Sequence, residues 1–250
     1  MEKFFVNIED YNIKPYSNSG FSGLLYIGTS KKNKRKFIIK HKEVRFACCE
    51  FVFSRIGCLL KAKLPEAYFV RHDNCNKFIS PYAIAIEYME NLKPFQTDKR
   101  KEKQIEQYIK INVLHVMFAQ FDTIQIRMLP NGDVTSYDFA DSFFLPDNIS
   151  DVDSERTVDA CALNFGKFKN GYNLGSMLSG LVEFFTKKFG EKTEIPYEEV
   201  IKNTLVGMLN LSDEQLEPII SAIEEYYGLN ISVYIEEYIA VLKEKIRALL

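Results

Sequence analysis

No stretch of the chain approaches the roughly 18 consecutive apolar residues that a membrane-spanning helix needs. The opening MEKFFVNIED lacks the long apolar core of a secretory leader. These two absences set the expectation of a cytoplasmic protein with no membrane partner. Cysteine is sparse and unpatterned: there are five, an odd number, with no CxxC pair, and the three histidines stand far apart. That argues against a disulfide framework and against a zinc site of ordinary spacing. Cys48, Cys49, Cys58, Cys75 and Cys161 are expected to be reduced and buried or half-buried. A surplus of one charge is missing as well. A net charge of −2 speaks against a general nucleic-acid-binding surface, so no direct nucleic-acid partner is expected. With 46% hydrophobic and 26% charged residues the chain is neither disordered nor of low complexity. Its 250 residues can bury a sizeable core, as one large domain or two lobes.

What is present is concentrated between Phe118 and Phe144. Asp122 precedes the apolar run Ile124, Ile126, Met128 and Leu129, then the pair Asn131-Gly132, then a second run closed by Tyr137-Asp138-Phe139-Ala140-Asp141. Asn-Gly is a strong hairpin signal because both residues accept positive φ. Pairing Gln125 to Leu129 with Val134 to Phe139 brings Asp122 and Asp138 to one end. The arrangement resembles the one kinases build, in which one Asp orients the attacking hydroxyl and a second holds Mg²⁺ on the phosphates. The alternative is an ordinary hairpin with solvated acids.

Upstream, a polar lead-in reaches the Gly/Ser segment Ser17 to Gly23, followed by LLYIGT, the polar tip KKNKRK, and Phe37-Ile38-Ile39-Lys40. This reads as a hairpin whose opening loop can bring backbone N–H groups close to a phosphate. Lys40 ends an apolar strand where the chain should be entering the core. The segment Phe46 to Ala62 has helical length and composition, and Glu50 lies on or beside its apolar face, between Phe46 and Ala47 and Phe53. A carboxylate there needs a cation, and Lys40 is the candidate. A structural ion pair, or a glutamate turned to water, is the other reading. Further strands are expected over Ala67 to Val70 and Tyr82 to Met89. His41, His72 and His115 form no recognisable site and are expected as surface or packing residues.

Asn91 to Lys103 is polar with mixed charges, and helical spacing predicts a long helix from Gln104 to Gln120. After Phe144, the acidic stretch Asp147 to Asp159 and the Gly-rich NFGKFKNGYNLG suggest a mobile surface segment. Helices follow at Leu174 to Phe189, closed by Gly190; from Pro196 to Leu209; from the Ser212-Asp213-Glu214-Gln215 capping box to Gly228; and from Ile231 to Leu250. Tyr234, Tyr238 and Leu242 share a stripe expected to be core. The fold class is therefore α+β: a small antiparallel β lobe with one helix over residues 1–92, and a larger, mainly helical lobe over 93–250 carrying a hairpin at 120–143.

The order of the Gly/Ser loop, Ile39-Lys40, Cys49-Glu50-Phe51, Glu87-Tyr88-Met89, Asp122 and Asp138-Phe139-Ala140-Asp141-Ser142-Phe143 resembles the HipA-like kinases, and more distantly the phosphatidylinositol 3- and 4-kinases. The resemblance covers about residues 17–145. It implies a two-lobed protein-kinase-like fold, ATP with Mg²⁺ as cofactors, and transfer of the γ-phosphate to a serine or threonine hydroxyl of a protein, in some members as the toxin of a toxin–antitoxin pair. It further implies a protein substrate or a cognate antitoxin as partner. Carried onto this chain, Lys40 contacts the phosphates and Glu50 holds it, with Asp122 as base. Ser19, Gly20, Ser22 and Gly23 cover the phosphates, Glu87, Tyr88 and Met89 present backbone groups to adenine, and Asp138 binds Mg²⁺. One position departs from the family. Five residues after Asp122, where an Asn normally binds the second metal, stands Arg127. A guanidinium has only donors and cannot ligate Mg²⁺. Gln125 or Asp141 would then supply the oxygen, or the site holds one metal, or transfer has been lost. A nucleotide-binding pseudokinase and a non-enzymatic helical interaction protein are the competing expectations.

Overall fold

The computed structural model describes residues 2–16, 25–40, 44–71, 82–96, 101–120, 125–139, 142–143, 145–146, 155–190 and 195–250. Among them are nine strands and seven α-helices. In chain order these are β1 (Phe5–Asn7), β2 (Tyr11–Pro15), β3 (Leu25–Ser30), β4 (Lys36–Lys40), α1 (Val44–Leu59), β5 (Ala67–Arg71), β6 (Ile84–Glu87), β7 (Lys93–Pro94), α2 (Glu102–Met117), β8 (Gln125–Met128), β9 (Val134–Tyr137), α3 (Glu155–Gly171), α4 (Leu174–Phe189), α5 (Tyr197–Leu209), α6 (Asp213–Tyr227) and α7 (Leu229–Arg247). The architecture is α+β, with a strand-rich first part and a mainly helical second. Among the described residues, no helix is long and apolar enough to cross a membrane.

The larger sheet has the order β1-β5-β6-β4-β3-β2. Every pairing in it is antiparallel except β1 with β5, where Phe5 stands opposite Phe69. The apolar residues Phe4 and Phe5 lie inside what the sequence suggests is a polar lead-in. A three-residue strand paired 64 positions away leaves no local signature, since its register comes from Phe5 on Phe69 and not from a turn. Strand alternation gives the sheet two faces. Phe37, Ile39, Val70, Ala83 and Ala85 fill one, together with Ile8 and Tyr26. Phe69, Ile84 and Ile86 belong to the other, which α1 covers.

Helix α1 is not amphipathic in the ordinary sense. From Ala47 to Gly57 every residue is buried: the sheet and α6 pack on α1, and Phe53 meets His115 of α2. The core therefore runs without a break from the sheet through α1 and α2 to α7. Helix α6 also reaches back to the sheet: Tyr226 stacks on Phe69 with centroids 4.4 Å apart, and its hydroxyl lies 3.0 Å from the carbonyls of Val70 and Ala83.

The second half carries one correction. The segment expected to be mobile is helical from Glu155: α3 runs to Gly171, through Gly166, and Leu174-Gly175 at the end of the Gly-rich stretch open α4, while 147–154 lie outside the described residues. The apolar residues of α3 keep helical spacing: Cys161 and Phe168 are buried, Phe165 is partly buried between them, and the stripe packs on α7 through Phe168 on Tyr238, 3.9 Å, and Phe165 beside Tyr234. Tertiary burial outweighs the glycine penalty of roughly 1 kcal/mol each. Elsewhere the helix ends follow their caps. Gln215 Oε1 accepts the Ser212 N–H at 3.0 Å, and Gly190 and Gly228 stand at positive φ. Tyr234, Tyr238 and Leu242 are buried.

Candidate active site

Hairpin β8–β9 closes at Asn131-Gly132, with Gly132 at φ 86°. Its register sets Gln125 opposite Tyr137, Ile126 opposite Ser136, Arg127 opposite Thr135 and Met128 opposite Val134. Helix α2 fastens the turn. Gln104 donates to Gly132 O at 2.8 Å, Gln107 accepts the Val134 N–H at 2.8 Å, and Asp133 is bonded by Gln107 and Lys103. Those bonds, Gln107 first, hold the Asp133 carboxyl below its ordinary range. The hairpin is thus a rigid arm carrying Asp138 at its far end.

Lys40 is the last residue of β4 and pairs with Ile84. Cross-strand partners share a face, so Lys40 points to the side that α1 covers. There its ammonium bonds Glu50 on α1 and lies 3.3 Å from Asp138 Oδ1. The Glu50 side chain is 1% exposed, that of Lys40 13% and that of Asp138 39%. Burial by itself would push the Lys40 pKa down. The charges of Glu50 and then Asp138 outweigh it and hold the ammonium above its ordinary value. One cation between two carboxylates leaves one negative charge in surplus, on the carboxylate that water still reaches. Of the two carboxylates, Asp138 alone is open to a hard divalent cation.

Asp138 itself sits at φ 71°, a conformation that Asp and Asn adopt more readily than other non-glycine residues. A small network holds this turn. Gln120 donates to Asp138 O at 3.1 Å, the Ser142 hydroxyl lies 2.6 Å from Gln120 Oε1, and the Cys49 thiol lies 3.0 Å from Ser142 O. Phe139, next in sequence, stacks on Phe53 of α1 and borders His115. Tyr234 of α7 donates to Phe143 O at 2.8 Å. Sequence reasoning missed Gln120, Ser142, Phe53 and Tyr234, since each acts through a partner remote in the chain. Gln120, two residues before Asp122, was the one detectable by position. The ring of His115 is buried against Ser136, with Nδ1 unpartnered among the described residues.

The other expected residues are placed as follows. Asp122, Asp141, Ser19, Gly20, Ser22 and Gly23 lie outside the described residues, as do His41, His72 and Cys75. At the end of β6, the Glu87 N–H bonds Glu66 O at 2.9 Å and the Tyr88 N–H bonds Lys36 O at 3.0 Å. Of the backbone groups expected to face adenine, the Glu87 and Tyr88 N–H donors are thus already engaged by strand pairing. Met89 Sδ lies 3.5 Å from Thr135 Oγ1, which joins the β6–β7 connection to the hairpin. Gln125 Oε1, expected as a metal oxygen, accepts from Arg127 at 3.0 Å and so is already engaged. Among the described residues no group of three His, Cys, Asp or Glu converges as a metal centre. Cys48, Cys49 and Cys161 are buried thiols and Cys58 is half-buried.

The fold is of a two-lobed, kinase-like α+β class. The fold is similar to the crystal structure of a Helicobacter pylori proinflammatory kinase, CtkA, with a TM-score of 0.51 and 11% identity over 98% of this chain and 99% of that one. At that identity the likeness speaks for the fold alone. No protein-family model matches the sequence, and no curated protein matches it.

Proposed function

We propose that the chain is an ATP-dependent kinase of the HipA-like type, acting on a protein serine or threonine hydroxyl, with its lobe boundary near residue 92. The observation that carries this reading is Lys40 held between the buried Glu50 and the half-exposed Asp138. A purely structural ion pair gives no reason for a second, water-accessible carboxylate at the same ammonium.

Bound ATP with Mg²⁺ would supply the phosphoryl group and the charge neutralisation that its transfer needs. The chain's residues would do the rest. Lys40 offers its N–H groups to the phosphate oxygens, and Glu50, fixed inside α1, keeps that ammonium charged and aimed. Asp138 gives a carboxylate oxygen to the metal, and Gln120 and Ser142 hold the backbone that aims it. Asp122 is assigned as the base that orients the acceptor hydroxyl, from its place in the sequence. Ser19, Gly20, Ser22 and Gly23 are assigned to covering the phosphates on the same ground.

A second reading keeps the nucleotide and drops the transfer. It is favoured by Arg127, which stands at the usual position of a metal-binding Asn and ties up Gln125. Calorimetric titration with ATP, with and without Mg²⁺, tests what both readings share. Binding that tightens with Mg²⁺ is expected. Absence of binding at millimolar ATP returns the chain to the interaction-protein reading.

A further inference from the structure

We infer that Arg127 binds the phosphates of the nucleotide and takes the place of a second metal ion, so that the site works with one divalent cation. This rests on the nucleotide site proposed above and assigns Arg127, until now only a departure from a motif, a positive role within it.

The argument begins with the hairpin's two faces. Ile126 and Ser136 are opposite one another, and Ser136 meets His115, so this face looks into the core. Gln125, Arg127, Thr135 and Tyr137 therefore share the opposite face. Thr135 touches Met89 there, so this face looks toward the β6–β7 connection, on the side from which a nucleotide base would enter. Along that face the Arg127 side chain has two directions open to it, toward the Asn131-Gly132 turn or toward Asp138. It takes the second. Its Nη2 donates to Gln125 Oε1 at 3.0 Å, its Nη1 to Ile126 O at 3.0 Å, and the guanidinium stands over the Tyr137 ring, 5.9 Å from the centroid. Tyr137 directly precedes Asp138. The guanidinium is thus carried back along the strand to the residue adjoining the carboxylate that Lys40 touches.

Charge supports the same assignment. Lys40 with Glu50 and Asp138 leaves one surplus negative charge, enough to attract one divalent cation. A second cation near Gln125 would face the Arg127 guanidinium and would find Gln125 Oε1 occupied. A polyphosphate brings oxygens, not a metal, to that place, and guanidinium N–H groups match phosphate oxygens in a fork. Among the described residues the bonds above use two of the five N–H groups. Gln125 acts here as a positioning residue: it accepts from Nη2 and holds the fork toward the Asp138 end.

The test uses the full chain, with ATP and adenosine titrated calorimetrically into wild type, Arg127→Gln and Arg127→Lys in the presence of Mg²⁺. Manganese bound per ATP is then counted by electron paramagnetic resonance in wild type and Arg127→Asn. The inference predicts that Arg127→Gln weakens ATP binding by about tenfold or more and leaves adenosine binding unchanged, while Arg127→Lys recovers part of the loss. It also predicts a single Mn²⁺ per nucleotide in wild type, with additional Mn²⁺ uptake in Arg127→Asn. Equal affinity of wild type and Arg127→Gln for ATP overturns it, as does an equal loss for ATP and adenosine, or two Mn²⁺ per nucleotide in wild type. If wild type binds ATP normally, those results leave the nucleotide site standing. If wild type binds neither ATP nor adenosine, the nucleotide site falls and the role of Arg127 with it.

Discussion

Phe139 stacks face to face on Phe53, with ring centroids 4.0 Å apart and planes within 3° of parallel. Phe53 lies on α1 one turn beyond Glu50, and Phe139 follows Asp138, so this one contact ties the carboxylate that holds Lys40 to the carboxylate proposed for the metal. Both rings are fully buried.

Truncating that contact should be costly. Phe139→Ala is expected to destabilise the fold by about 3–5 kcal/mol and to free the backbone at Asp138. Urea unfolding checks the first effect. A fall in metal-dependent nucleotide affinity, measured under conditions where the variant is still folded, checks the second.

Lys40 and Glu50 predict an asymmetric pair of variants. Lys40→Met keeps most of the stem packing but removes the ammonium, and because Glu50 is 1% exposed losing Lys40 strands a buried carboxylate. Lys40→Met should cost roughly 3 kcal/mol or more, and the double variant Lys40→Met with Glu50→Leu should recover much of it. Comparing the unfolding free energies of the single and double variants decides the point.

The hairpin, the Lys40–Glu50 pair and the capped helices were legible because each is written locally. Asn131-Gly132 fixes a turn, Lys40 ends its strand only four residues before α1 begins, and Ser212 with Gln215 forms a cap within one turn. What was not legible depends on distant partners. β1 is a strand only because Phe69 lies beside it. α3 is a helix only because α7 covers its stripe. The burial of Glu50 was read from one apolar face, whereas α1 is buried right round from Ala47 to Gly57, against the sheet, α2, α6 and the turn after β9. Gln120 and Ser142 look like ordinary polar residues until the turn after β9 brings them together.

His115 predicts a pH dependence. Burial pushes its pKa from an ordinary 6.5 down to about 3, so between those values the unfolded chain binds a proton that the folded chain excludes. The stability contributed by the neutral ring is whole above pH 6.5. It falls by roughly 1.4 kcal/mol per pH unit below that and levels off near the folded value. From about pH 7 to about pH 4.5, wild type should therefore lose about 2–3 kcal/mol more than His115→Leu. Urea titrations at the two pH values measure that difference, and equal slopes would show that the ring is not held neutral.

Backbone conformation separates two substitutions at Asp138. At φ 71°, Asp138→Asn should unfold within about 0.5 kcal/mol of wild type, since Asn tolerates the left-handed region. Asp138→Val should lose about 1–3 kcal/mol, since a β-branched residue does not. Thermal unfolding of both variants checks this and establishes Asp138→Asn as a folded control.

That control serves the most direct test of phosphoryl transfer by the Lys40–Glu50–Asp138 site: incubation of the chain with γ-labelled ATP and Mg²⁺ or Mn²⁺, wild type beside Asp138→Asn. Label transferred to protein hydroxyls, or released as phosphate, above the level of Asp138→Asn is the predicted result. Wild type and Asp138→Asn alike in both, with each shown to be folded, would contradict it.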